Sequence, residues 1–266
     1  MGRLKEIMEF ILAVFYALVV NLFDKKPRRV VLYYHGINRA DVKGFTKQMA
    51  YLTQKCSVVK PSKIKSAHID GAKILAAITF DDAFVSIIEN AVPILKEHRL
   101  PAGIFVPTGN LGQPLRWKMP ENCPDKNETV MTQGQIAELD NDGFEIFSHT
   151  LSHPVLTEVE DSRLEAELVN SKRALERIVG HQVSAISYPH GAYDTRVCRF
   201  AKKAGYRLGF TIQPTMVDSA TDHLKIGRFL VSAKESMVKF KLKVSGAYEV
   251  RMYLQSIRRL FLGGFS

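Results

Sequence analysis

Seven short apolar runs, separated by stretches of helical periodicity, constrain this chain more than any other feature. They are VVLYYH (Val30 to His35), ILAAITF (Ile74 to Phe80), AGIFV (Ala102 to Val106), FEIFS (Phe144 to Ser148), SAISY (Ser184 to Tyr188), LGFTI (Leu208 to Ile212) and IGRFLV (Ile226 to Val231). Near-continuous apolar, β-branched and aromatic runs predict strands covered on both faces. Between them, Phe45, Met49 and Leu52 recur at helical spacing, as do Phe84, Ile87, Ile88 and Val92, with Pro93 expected to kink that segment. Asp161 to Val179 carries Leu164, Leu168, Leu175 and Ile178 on one face and stops at Gly180. Thr195 to Lys203 is a further helix, and Thr132 and Gln135 have capping-box spacing at the start of a short one. Gly109 to Pro124 is a long Gly/Pro-rich loop. Strand–helix alternation predicts an α/β fold with a parallel sheet covered by helices. About seven such units predict a closed or nearly closed barrel, with an open doubly wound sheet as the alternative.

The chain has 266 residues, 46% of them hydrophobic and 24% charged, and no linker or repeat divides it. One folded domain is expected over residues 30–235, preceded by an apolar helix and basic linker (1–29) and followed by a basic amphipathic tail (236–266). The net charge of +10 favours anionic partners. No RNP, KH or helix-turn-helix pattern is present, so nucleic acid is not expected and a membrane surface is. Phe10 to Phe23 has only Asn21 as a strong polar group. At ~1.5 Å per residue it spans roughly 21 Å, short of a hydrocarbon core of ~30 Å. An interfacial or short anchoring helix is expected, the alternative being a helix packed on the domain itself. The tail Val250 to Leu262 has an apolar face with Arg251, Arg258 and Arg259 mainly off it, as suits an anionic bilayer surface. A membrane-associated protein is expected, and if the apolar helix spans, the heavier charge cluster after it places the domain on the cytoplasmic side. Cys56, Cys123 and Cys198 are scattered, so neither a disulfide framework nor a zinc knuckle is expected.

The unusual polar residues fall at the C-terminal ends of the runs. His35 ends the first, Asp81 and Asp82 follow the second, and His149 and His153 follow Phe144 to Ser148. Pro189, His190 and Gly191 follow Ser184 to Tyr188. In an α/β barrel these ends meet on one face, which carries the active site. Two adjacent carboxylates beside a buried strand repel and lose solvation, and a divalent cation relieves both costs. His149 and His153 lack the intervening glutamate of a metalloprotease helix, and Pro154 opposes a helix there. Two histidines and a carboxylate can hold zinc with open positions, and the same donor set can hold Fe(II).

ITFDDAF, HTLSH and SYPHGAYD resemble the first three motifs of the polysaccharide deacetylases, carbohydrate esterase family four with its NodB-homology domain. VLYYHGI followed by FTKQMAYL resembles the opening of many members, so the likeness runs from about Val30 to Val231. The resemblance implies a distorted (β/α) barrel of about seven parallel strands and a metal-dependent N- or O-deacetylase. It implies Asp82, His149 and His153 as metal ligands, Asp81 as general base and the backbone N–H of His190 in the oxyanion hole, with a divalent metal, Zn2+ foremost, as cofactor. Three departures stand out. Many members carry an Arg two residues before the proline of the third motif, where this chain has Ser187. Ala83 stands where Gly is usual, and the late motifs with their acid histidine are not found. His35, at a strand end, is therefore the candidate general acid, with His223 the other, and Arg228 is noted on the last strand. The expected function is removal of an acetyl group from an N-acetylated glycan or lipid-linked sugar. The alternative is a catalytically impaired carbohydrate- or membrane-binding protein that retains the metal site.

Overall fold

In the computed structural model, residues 2–23, 27–68, 73–119, 121, 123–250 and 252 are described. Eight strands form one parallel sheet: β1 (Arg28–Tyr34), β2 (Ser57–Val58), β3 (Ile74–Phe80), β4 (Ala102–Val106), β5 (Glu145–Ser148), β6 (Ala185–Ser187), β7 (Leu208–Phe210) and β8 (Phe229–Leu230). Their order is β7-β6-β5-β4-β3-β1-β8, with β2 paired to β3 outside that path. The seven strands of the path curl into a distorted (β/α) barrel, as expected from the sequence. The last apolar run differs in detail. Ile226 bridges Phe210 of β7, whereas Phe229 and Leu230 pair with Leu32 and Tyr33 of β1, so one segment serves both edges of the sheet. Gly227 sits where it passes closest to its neighbours: a Cβ there would lie 1.9 Å from Thr215 Oγ1 and 2.6 Å from the Gln213 carbonyl.

Alternation along the strands sorts the apolar residues into two cores. Val31, Leu75, Ala77, Phe105, Phe147, Phe210 and Ile226 fill the barrel. Val30, Leu32, Ile78, Ile104, Ile146 and Ile186 face outward into a larger core shared with the helices. Those helices include α2 (Val42–Lys55), α3 (Val92–Glu97), α4 (Gln133–Asn141), α5 (Asp161–Val179) and α6 (Thr195–Lys203). The capping box at Thr132 forms, with Gln135 closing it, and Gly180 ends α5 at φ 73°. The kink expected at Pro93 is a π-helical turn, Ile87–Ala91, ahead of α3, which begins at Val92 with the proline in its first turn.

Two terminal helices complete the described structure. Helix α1 (Gly2–Phe23) packs on the region of α7 (Met237–Val244) and the turn Ala247–Glu249. Ala13, Ala17, Phe240, Val244, Ala247 and Tyr248 are buried in the same core as the strands. Among the described residues, no helix is long and apolar enough to cross a membrane. The basic linker residues 24–26, and the tail beyond Val250 except Met252, lie outside the described residues.

Candidate active site

At the C-terminal mouth of the barrel, His35, Asp81, Asp82, His149, His153 and His190 line one cavity of about 260 Å³. The four strand ends named from the sequence thus meet. His223 does not line it and is exposed. The backbone is strained where it delivers these groups: Asp82, Ala83, Thr150, His153 and His190 all have φ between 49° and 70°. Left-handed φ is uncommon outside glycine and costs about 1–3 kcal/mol per residue. The φ of 49° at Ala83 gives a physical reason for the glycine usual at that motif position.

Asp82 Oδ1 lies 3.5 Å from His149 Nε2 and 3.4 Å from His153 Nε2. The His149 Nδ1 lies 2.8 Å from the Ser187 carbonyl. A carbonyl can only accept, so Nδ1 carries the proton and Nε2 presents its lone pair to Asp82. Burial lowers the pKa of His149 to about 4, against the pull of Asp81. Burial, then His149 and His190, lowers that of His153 to about 2. Both rings are neutral donors at neutral pH. Burial, with Asp81 and Asp125 adding to it, raises the Asp82 carboxyl well above the usual range, and its Oδ1 has no hydrogen-bond partner. An orphaned buried carboxylate oxygen between two neutral imidazoles is a donor set a divalent cation fits, and these three residues form a group that could hold a metal ion.

The HTLSH turn is fixed from α5. Glu167 accepts from the backbone N–H of Leu151 (3.0 Å) and Ser152 (2.8 Å), and also from the Ser152 hydroxyl. Ser171 on the same helix pairs with Ser148 at 2.8 Å, and the Thr150 hydroxyl accepts from the backbone N–H of His153. The only tryptophan, Trp117, comes from the long β4–α4 loop and stacks on His153 with ring centroids 4.4 Å apart. Neither Glu167 nor Trp117 was singled out by sequence reasoning. Glu167 breaks the apolar pattern of α5 between Leu164 and Leu168, a usable signal, whereas nothing local marks a tryptophan in a loop.

Asp81 differs from its neighbour. Burial works against its carboxylate, but Arg228, with His149 and His35, holds it well below the usual range. Arg228 Nη1 and Nη2 reach the two carboxylate oxygens at 2.7 and 2.8 Å. His35, on the same cavity, has its pKa lowered by burial while Asp81 and Asp125 oppose the shift.

A buried Asp-His-His group, an ionised Asp beside it and an α/β barrel behind it are what comparison has to match. The sequence model of the family described as Polysaccharide deacetylase matches residues 68–209, more than half of the chain. The chain belongs to the polysaccharide deacetylase family. A putative polysaccharide deacetylase, YxkH of Bacillus subtilis (strain 168), is 26% identical over 200 residues, covering 72% of this chain and 67% of that protein. The poly-beta-1,6-N-acetyl-D-glucosamine N-deacetylase of Staphylococcus aureus (strain N315) is 28% identical over 173 residues, and the match spans 61% of this chain and 57% of that enzyme. The Streptococcus pyogenes deacetylase PplD, in complex with acetate, superposes with a TM-score of 0.69 at 22% identity, covering 83% of this chain and 99% of that one. IcaB from Ammonifex degensii superposes at 0.67 with 22% identity, covering 84% and 98%. At these identities the two superpositions establish the shared polysaccharide deacetylase fold.

Proposed function

We propose that this protein is a zinc-dependent N-deacetylase acting on an N-acetylated glycan or a lipid-linked amino sugar. The observation that carries the reading is the pairing of two adjacent aspartates, Asp82 facing two imidazole nitrogens at 3.5 and 3.4 Å and Asp81 held at both oxygens by Arg228. The relative from Staphylococcus, named as a deacetylase of an N-acetylglucosamine polymer, supports the substrate class. Asp82, His149 and His153 hold the cation, which when bound supplies Lewis acidity and lowers the pKa of water toward ~7. Asp81 takes the proton from the attacking water. The backbone N–H of His190 donates to the oxyanion that develops on the acetyl carbonyl. His35, which enters the cycle neutral, relays a proton to the departing nitrogen as the C–N bond breaks, leaving acetate and a free amine. His35 is preferred to His223 as the acid because His35 lines the cavity and His223 does not. The test is acetate release from chitooligosaccharides or poly-N-acetylglucosamine by zinc-loaded protein. A wild type that binds such glycans without cleaving them, equally with its Asp81→Asn variant, would support the binding-protein alternative instead.

A second reading concerns location, and a specific observation favours it. Ile7 and Met8 (each 55% exposed), Ile11 (59%) and Phe15 (66%) form one stripe along α1 opposite the buried Ala13 and Ala17. The helix is therefore both packed on the domain and apolar on its outer side. With a net charge of +10, an anionic bilayer surface is the occupant that satisfies both features. On this reading the protein is membrane-associated, and a lipid-linked sugar becomes an accessible substrate.

A further inference from the structure

Arg228 is fully buried, with 0% of its surface exposed, and is the largest side chain so enclosed among the described residues. A buried guanidinium is costly unless every donor is met. Here all five N–H donors have acceptors. Nε gives to the Thr211 carbonyl at 2.9 Å, Nη1 to Asp81 Oδ1 at 2.7 Å and Thr79 Oγ1 at 3.3 Å, and Nη2 to Asp81 Oδ2 at 2.8 Å and Ser187 Oγ at 2.7 Å. The planar group lies 4.4 Å from the Tyr33 ring and 5.2 Å from that of Phe105, which limits its tilt. Its one acidic partner is Asp81, and the fork takes both carboxylate oxygens, so the plane of that carboxylate is fixed as well as its charge.

Ser187 gives this its meaning. By the resemblance of SYPHGAYD to the family's third motif, an arginine would be expected at its position, and its side chain points into the barrel at the same guanidinium. Its hydroxyl accepts from Arg228 and donates toward Asp81 Oδ2 at 3.4 Å. An arginine at both positions would put two guanidiniums in one space beside one carboxylate. We propose that Arg228 is the positioning residue for Asp81, supplying from the last strand the guanidinium that position 187 lacks, with Ser187 retained as its steering partner. The inference rests on the hydrolase reading above for the meaning of Asp81 as base. It also ties that base to closure of the barrel, because Arg228 sits on the segment that bridges β7 and β1.

The test compares wild type with Arg228→Met, Arg228→Lys and the exchange Ser187→Arg/Arg228→Ser. Zinc affinity, thermal midpoint, and kcat and KM on an N-acetylglucosamine oligomer are measured, together with a crystal structure of zinc-loaded Arg228→Met. Arg228→Met is expected to keep zinc affinity and KM within about threefold while kcat falls on the order of a hundredfold, the scale of a misplaced reacting group. Arg228→Lys should behave like the Met variant, since a point charge cannot hold both oxygens. The exchange should recover at least about tenfold in kcat over Arg228→Met. In the crystal, the Asp81 carboxylate should leave its wild-type plane. A kcat within about threefold of wild type, or zinc lost in parallel with activity, overturns the proposal. So does an exchange variant that folds and binds zinc without recovery. If Arg228→Met and the exchange both fail to fold, Arg228 is a core residue and the proposal falls. A wild type that releases no acetate would refute the hydrolase reading alone, because the position of Asp81 in the Arg228→Met crystal still decides this one.

Discussion

His149 and His153 offer neutral nitrogens because burial strips the stability of their charged forms. Asp82 is the reverse case, since burial and its acidic neighbours make it hold a proton to higher pH than a free aspartate. Zinc has to displace that proton, so affinity should fall as pH falls through the raised pKa of Asp82. The histidines compete only near pH 4 and 2. Above the range in which the histidines titrate, the loss should therefore follow a slope of no more than about one proton, read by competition with a chromophoric chelator. A slope approaching two protons would show that the imidazoles are titrating and would contradict this account of their environment. Substitutions should separate in the same way. His149→Ala or His153→Ala is expected to abolish both zinc binding and acetate release, while His35→Ala should keep zinc and lower kcat. Zinc retained by His149→Ala would remove it from the ligand set.

The turn after β5 and the segment that closes the barrel show what whole elements contribute. Glu167, itself buried, accepts from the backbone N–H groups of Leu151 and Ser152 and so ties the turn to α5. Glu167→Ala should lower the thermal midpoint and weaken zinc binding by about 10- to 100-fold, the usual cost of losing support behind a ligand. A calorimetric titration with unchanged affinity would show that the turn holds its own strained φ values. The strands themselves were legible: Ile74–Phe80 and Ala102–Val106 match their apolar runs end to end, and the capping box named the start of α4. Helices α5 and α6 also match: apolar spacing and Gly180 mark the first locally, and in the structure the Asp194 side chain caps the second. What was not legible is long-range. Arg228 could be seen on the last run, but its reach to Asp81, 147 residues earlier, depends on how the sheet closes. Strand β2 pairs over only two residues and carries no periodic signal. Trp117 meets His153 through a loop whose path no local rule sets.

For the molecule as a whole, the apolar stripe of α1 and the basic charge make one joint expectation. The full-length protein should sediment with liposomes rich in anionic lipid at low salt and be released as salt screens the charge. Ile11→Glu/Phe15→Glu, which charges the exposed stripe and leaves the buried Ala13 and Ala17 face in place, should move it to the supernatant while zinc binding persists. Full-length protein that stays in solution at low salt would contradict the membrane reading and remove the main support for a lipid-linked substrate. The hydrolase reading stands apart from that outcome. Its most direct test is one paired measurement on zinc-loaded wild type and Asp81→Asn: bound zinc per chain alongside acetate released from N-acetylglucosamine oligomers and polymers. The expected result is about one zinc in both proteins, steady acetate release by the wild type, and a loss on the order of a hundredfold or more in the variant. Zinc bound by both with no acetate released by either, across the panel of acetylated glycans, would contradict the account.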